Sequence, residues 1–236
     1  MKNTLADIGV VIPVREGSSR IKNKVMLPFG TDESLLEWKI KQMKEIVNNE
    51  QIIISTDSPK LIDIAIKNDV QFKVRDKYLC EGHVASFNEV IKGVVKAIDF
   101  KHIAWVTVVV PLMKPIDYLK AFTKYIKIIN EKNKDFDSLL TVNLLKEYFW
   151  DDNGPLNYCA DKNHTVSQDL PNFYRVTNAL YMYNRESILN KEYFIGSKPY
   201  KFEVDKLAGI DIDEIEDYNM ALNLLNYYND TLKKNN

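Results

Sequence analysis

Two short stretches carry residue types that could do chemistry together. The first, VIPVREGSSRIKNK from Val11 to Lys24, breaks an apolar run at Pro13 into a loop holding Arg15, Gly17, Ser18, Ser19, Arg20, Lys22, Asn23 and Lys24. Backbone N–H groups at a Gly-Ser turn can wrap phosphate oxygens, while Arg and Lys neutralise charge that the turn alone would leave repelling. A solvated basic connection after a first strand is the plain alternative. The second stretch, GIDID from Gly209, sets two carboxylates, Asp211 and Asp213, one residue apart. In extended chain, residues i and i+2 point the same way, so both could hold one Mg²⁺. Asp213, followed by Glu216, could instead cap a final helix. Having both stretches in one chain favours the joint reading, because a triphosphate needs protein cations and a metal for the oxygens they do not reach.

Other chemistries find no support. There is no GxxxxGK[ST], the opening loop has one glycine where a dinucleotide fingerprint needs three, and GxSxG is missing. His83, His102 and His164 form no triad or zincin pattern, and Cys80 and Cys159 stand far apart without CxxC or Cys/His metal spacing. A net charge of −1 means that any anion site is a local cluster and that a general nucleic-acid-binding face is not favoured. The N-terminal apolar run is short and ends at Pro13, so it reads as a strand rather than a signal peptide or membrane span. The expectation is a cytoplasmic protein that meets neither nucleic acid nor membrane.

These residues need elements to position them. Ile8, Val10, Val11 and Ile12 read as a buried first strand, and Ser34 with Glu37 reads as the cap of a helix whose Leu36, Ile40, Met43 and Val47 share one face. Strand 51–55 precedes a turn, Thr56-Asp57-Ser58-Pro59, that opens helix 59–69. A short strand over 71–74 and a helix over 84–98 follow, then the nearly all-apolar run 103–110, which predicts a central strand covered on both faces. Pro115 opens another helix, and 137–144 is a strand. Strand and helix alternate with short connections, which predicts a doubly wound α/β sandwich whose ligand lies beyond the carboxyl ends of the strands. The 236 residues, 45% of them hydrophobic, suit one large domain spanning 1–236.

Residues 145–172 break that rhythm. They are polar and aromatic with no clear period, and read as an arm or insertion whose Tyr148, Phe149, Trp150 and Tyr158 either anchor a partner subunit or cover their own domain. Order returns with strands over 173–183, 199–204 at an edge and 208–212, and a final helix from Glu214.

Five motifs in order resemble the CMP-sialic acid synthetase (acylneuraminate cytidylyltransferase) family and, more distantly, the CMP-Kdo synthetases. VIPVREGSSRIKNK is similar to that family's IPAR-x-GSK-x-x-x-NKN loop, DESLLEWKI to GKPLIEWTI, and ISTDS to its second strand; SQDLPNFYRVTNALYMY resembles RQDLP…FRPNGAIYI, and GIDIDEIEDYNMA resembles IDIDTELDL. The resemblance implies a three-layer Rossmann-like nucleotidyltransferase fold with a mainly parallel sheet and an inserted dimerisation arm. It also implies a homodimer that uses CTP and Mg²⁺, in which a hydroxyl of a small acidic acceptor attacks the α-phosphate and pyrophosphate leaves. Carried over by position, Arg15, Ser18 and Lys24 would contact the triphosphate, with Gly17, Ser19, Arg20 and Asn23 completing that loop. Asp211 and Asp213 would hold the metal, Arg175 the acceptor's acid group, and Ser86, in HVAS where the family has DTAS, would lie around the cytidine. Gln168 is a further substrate-binding candidate, and Arg15, Lys24 and Asp211 are the catalytic ones.

The chain departs from the pattern at Ser19 for lysine, with Arg20 next door, and at Val25, His83 and Thr177-Asn178 for asparagine, aspartate and Asn-Gly. TVVVPLM over 107–113 replaces QPTSPLR, leaving Lys114 as the nearby cation. The phosphate and metal ends are thus better kept than the acceptor end. The expected product is a CMP-activated acid, such as a bacterial nonulosonic acid or a related metabolite for a surface polysaccharide. Nucleotidyl transfer to a phosphate or phosphonate monoester, or nucleotide binding without turnover, are the alternatives.

Overall fold

Val10 and Ile12 pack on one side of the first strand and Val11 on the other, all fully buried, so this strand must be covered on both faces. The computed structural model describes residues 5–18, 20–81, 84–131 and 135–233, and builds a seven-stranded sheet around it. Strands β1 (Ile8–Pro13), β2 (Ile52–Thr56), β3 (Gln71–Val74) and β4 (His102–Val106) run parallel to one another. Strands β5 (Ser138–Leu145) and β9 (Pro199–Glu203) are parallel to each other, and β8 (Phe173–Asn184) runs antiparallel between β4 and β5. The order β3-β2-β1-β4-β8-β5-β9 makes β4 the fourth of seven, the central place its apolar run predicts, and leaves β9 at an edge.

Helices α1 (Leu35–Lys44), α2 (Pro59–Lys67) and α4 (Pro115–Asn130) cover one face, and α3 (Phe87–Lys96) and α5 (Arg185–Lys191) cover the other. That is the three-layer arrangement. Local chemistry sets the helix starts: the Ser34, Ser58 and Ser86 hydroxyls accept from the backbone N–H groups of Glu37, Leu61 and Glu89, and Pro59 and Pro115 sit in first turns. No helix among the described residues is long and apolar enough to cross a membrane.

Three expectations change. The central strand stops at Val106, because the carbonyls beyond it turn to α1: Lys39 Nζ donates to Val110 O at 2.9 Å, Trp38 Nε1 to Pro111 O at 2.8 Å, and Gln42 Nε2 to Pro111 O and Met113 O, each at 2.9 Å. No strand forms over 208–212. Leu207–Gly209 is instead a 3-10 turn held by Asp205, whose carboxylate accepts from Ala208 N at 2.9 Å, and the segment after it meets the sheet end through Ile212 N donating to Val109 O at 2.8 Å. The final helix divides into α6 (Ile215–Asn223) and α7 (Leu225–Lys233), which close a smaller apolar cluster containing Phe29, Leu112 and Tyr228.

The arm contains a two-stranded hairpin, β6 (Trp150–Asp151) with β7 (Gly154–Pro155). Its aromatics pack mainly on one another: Tyr148 lies 4.6 Å from Tyr158 and 5.0 Å from His164, ring centre to ring centre. Only Phe149 reaches β8 through an aromatic pair, with Phe173 at 5.3 Å, and Trp150, Leu156 and Val166 remain exposed.

At the opposite end of β4, His102 is buried with its Nδ1 3.0 Å from the Tyr125 hydroxyl. Burial, helped by the Lys101 charge, holds its pKa below the ordinary histidine value. The unfolded chain therefore takes up the proton first, so this contribution to stability is full above about pH 6.5 and is lost as pH falls. Urea denaturation from pH 8 to 5 is expected to show this loss, and His102→Phe to flatten it even where the lost hydroxyl partner lowers the midpoint at pH 8. An unchanged acid limb in that variant would refute the assignment.

Candidate active site

A cleft of about 780 Å³ opens beyond the carboxyl ends of β1 and β4, where a parallel sheet with crossovers on both faces leaves a crevice. Its floor is the loop after β1. That loop is pinned on both sides: Arg15 Nη1 donates to Cys80 O at 3.0 Å, and the Glu16 carboxylate accepts from the Ser58 hydroxyl and from Lys60 Nζ. The Ser58 hydrogen bond is the main cause of a Glu16 pKa below the usual carboxylate value. Gly17 and Ser18 also line the cleft, and a side-chain carbon built at Gly17 would meet no atom within 4 Å, so the backbone there lies open to a ligand.

Asp211 and Asp213 face this loop across the cleft. Ile212 between them is held twice, through its N–H by Val109 O and through its carbonyl by the buried amine of Lys24 at 2.5 Å. The same amine lies 3.5 Å from Asp213 Oδ1, which also accepts from Arg20 Nη2 at 2.6 Å. Capping of α6 falls to Glu214 at the N-cap and to Asp217, whose Oδ2 accepts from the N–H groups of Asp213 and Glu214 at 3.0 and 2.8 Å. Those two bonds hold the Asp217 pKa low. The Asp213 side chain is thereby left to the cleft.

Asp211 is the more burdened of the pair. Burial pushes its pKa up, and the nearby charges of Asp213 and Asp217 add to this against the hydrogen bond from Asn178 and the charge of Lys24. Its Oδ2 accepts from Asn178 Nδ2 at 2.8 Å, whereas Oδ1 is buried without a hydrogen-bond partner. A buried carboxylate oxygen without a donor is costly unless a cation meets it. Among the described residues no group of three or more His, Cys, Asp or Glu side chains converges as a metal site. The two carboxylates of Asp211 and Asp213, with Asp211 Oδ1 unpartnered, would suit Mg²⁺, which binds through one or two carboxylates and takes its remaining oxygens from water and substrate phosphates.

Of the residues singled out by sequence, Arg15, Gly17, Ser18, Arg20, Lys24, Asp211 and Asp213 share this cleft. Ser19 lies outside the described residues. Asn23 does not line the cleft; with φ of 55° it starts the 3-10 turn Lys24–Met26, and its carbonyl accepts from Met26 N at 2.8 Å, which aims Lys24. Ser86 serves α3 as a cap, exposed, while its neighbours Ala85 and Phe87 reach the cleft wall. Gln168 sits exposed in the arm's 3-10 turn. Arg175 is a brace, with Nη2 donating to Asn143 Oδ1 at 2.7 Å and to Gly209 O at 3.2 Å, holding the turn that leads into Asp211. Lys114 is paired with Asp205 at 3.2 Å and does not line the cleft.

Sequence reading assigned no site role to Arg75, to Asn178, or to the wall of Trp105, Tyr181, Tyr193 and Phe194. Arg75 follows β3, and its buried guanidinium donates to Val14 O and Cys80 Sγ, each at 2.9 Å, tying it to the Arg15 loop. The aromatic wall is continuous, with Phe194 4.2 Å from Tyr181, 5.3 Å from Trp105 and 5.0 Å from Tyr193. The signal for Asn178 was present in the sequence as a departure from Asn-Gly. Its φ of 59° shows why so few side chains suit the position, since asparagine is one of the few residues besides glycine to enter this region readily.

The chain is 22% identical over 224 residues to the N-acylneuraminate cytidylyltransferase of Escherichia coli O18:K1:H7, covering 91% of this chain and 51% of that protein. It thus spans about half the length of that relative. It is 24% identical over 233 residues to the post-translational flagellin modification protein B of Campylobacter coli, covering 92% and 94% of the two chains. Among solved structures, a CMP:2-keto-3-deoxy-manno-octonic acid synthetase complexed with CTP superposes with a TM-score of 0.65 at 10% identity, over 93% of this chain and 98% of that one. The cytidylyltransferase family profile matches residues 9–232, from the first strand through the basic loop and the acid pair to the last helix, and the chain belongs to the cytidylyltransferase family as a divergent member similar to the N-acylneuraminate enzymes.

Proposed function

We propose that the protein transfers CMP from CTP to a hydroxyl of a small acidic acceptor, releases pyrophosphate and uses Mg²⁺. The observation that carries this reading is the cationic loop facing Asp211 and Asp213 across one cleft, with Lys24 bonded to the acidic segment from the loop side. The acceptor oxygen bonds to the α-phosphorus, the bond from that phosphorus to the oxygen bridging to the β-phosphate breaks, and the acceptor proton passes to solvent. Such a transfer asks for positioning and charge stabilisation more than for covalent chemistry. Arg15, Arg20 and the open backbone at Gly17 and Ser18 hold the triphosphate. Arg20 leaves Asp213 to do so, a small cost for an exposed pair. Lys24 keeps Asp211 and Asp213 aimed at the same phosphates. Mg²⁺ on these carboxylates would supply charge neutralisation to phosphate oxygens that the cations do not reach.

Pyrophosphate release measured with CTP, Mg²⁺ and a panel of keto-sugar acids and other acidic acceptors tests this. The expected result is release that depends on Mg²⁺, prefers CTP over ATP, GTP and UTP, and requires an acceptor. CTP binding without release for every acceptor would overturn the reading.

A further inference from the structure

The carboxamide of Asn178 stands where the two ends of the cleft meet. Its Nδ2 donates to Asp211 Oδ2 at 2.8 Å, and its Oδ1 accepts from the Tyr181 hydroxyl at 2.6 Å. The orientation is set by chemistry, because an ionised carboxylate only accepts, so the amide must turn its N–H to Asp211 and its oxygen to the phenol. The backbone is held as firmly. Between Leu140 and Val142 the register of β5 with β8 shifts, and in that irregularity Asn178 takes a φ of 59° while its carbonyl accepts from Thr107 Oγ1 at 2.8 Å. Thr141 Oγ1 accepts from Leu180 N at 3.2 Å and from Thr177 Oγ1 at 2.8 Å, so a side chain replaces ladder bonds at the same point. A bulge of this kind re-aims a side chain.

We propose that Asn178 is a positioning residue that fixes the Asp211 carboxylate so that its unpartnered Oδ1 is presented to a divalent cation, with Tyr181 locking the amide. This rests on the proposed nucleotidyl transfer. Asp211 Oδ2 is committed to the amide, so the free oxygen is the other one, and the carboxylate cannot rotate without breaking the Asn178 bond. Partners of this kind, which orient a ligand without touching the metal, commonly change metal affinity ten- to a hundredfold.

Asn178→Gly removes the carboxamide without straining the backbone, since glycine enters positive φ readily. CTP binding is measured by calorimetry in EDTA and again in saturating Mg²⁺ for the native protein, Asn178→Gly and Tyr181→Phe. The native protein is expected to bind CTP more tightly with Mg²⁺. In Asn178→Gly that gain shrinks about tenfold while affinity in EDTA is unchanged, and Tyr181→Phe shows a smaller loss of the same kind. Equal losses in EDTA and in Mg²⁺, or a gain as large as the native one, would overturn the role of Asn178 alone. A native protein with no Mg²⁺-dependent gain would overturn the underlying reading instead.

Discussion

Asp211→Asn is expected to lower CMP transfer by about 10³-fold and to make the protein more stable at pH 7. The two effects have one origin. Asp211 is ionised at a site whose burial disfavours charge, with Asp213 and Asp217 close by and one oxygen lacking a partner. Its pKa is raised on folding, so the folded state binds the proton more tightly than the unfolded chain does. Stability therefore declines as pH rises through the window above the ordinary carboxylate value of about 3.9 and stays lower above the folded pKa. An asparagine of the same shape removes that cost and keeps a side-chain oxygen for the bond from Asn178. It also removes the charge with which a cation would be held. Thermal denaturation at pH 7 should show a higher midpoint than the native protein, with the difference vanishing toward pH 3, while pyrophosphate release collapses. A variant that is both less stable at pH 7 and nearly fully active would contradict both halves.

Lys24→Ala is expected to cost about 10²-fold in turnover and about 1–3 kcal/mol in stability. The amine is buried, and two acceptors depend on it: the Ile212 carbonyl loses its side-chain donor, and Asp213 loses its buried counter-charge and keeps the exposed Arg20. The triphosphate contact implied by resemblance would make KM for CTP the main casualty. Because the amine is bonded to the acidic segment, kcat should fall more than KM rises. Lys24→Met, which keeps the hydrocarbon stem, should recover part of the stability and little of the turnover. Steady-state kinetics of the two variants decide the matter, and near-normal turnover in either would remove Lys24 from the site.

Much of the scaffold was legible because its determinants are local. Ser34, Ser58 and Ser86 hydroxyls meet N–H groups three residues on, Pro59 and Pro115 open helices, and the all-apolar run at 103–106 has no polar side chain to show to water, so it had to be central. The basic loop and the acid pair were legible for a related reason: charge that a core cannot absorb marks a strand end. Strand ends themselves were less so. Val108 to Val110 look as strand-like as Ile103 to Val106, and what stops β4 is three α1 side chains, more than sixty residues away in sequence, that take the carbonyls of Val110, Pro111 and Met113.

The sequence by itself determined that a cationic loop follows the first strand, that two carboxylates stand one residue apart near the end of the chain, and that an alternating α/β pattern carries both, because residue type and spacing are sufficient for each. Only the tertiary structure decided what those groups do to one another. It turned Lys24 onto Ile212, made Arg175 a brace for Gly209, left Asp213 to the cleft by assigning the cap to Glu214 and Asp217, and brought Asn178 against Asp211. Each of these is a hydrogen bond between residues distant in sequence or a choice between competing donors and acceptors, and such choices are made by burial and geometry once the layers have closed.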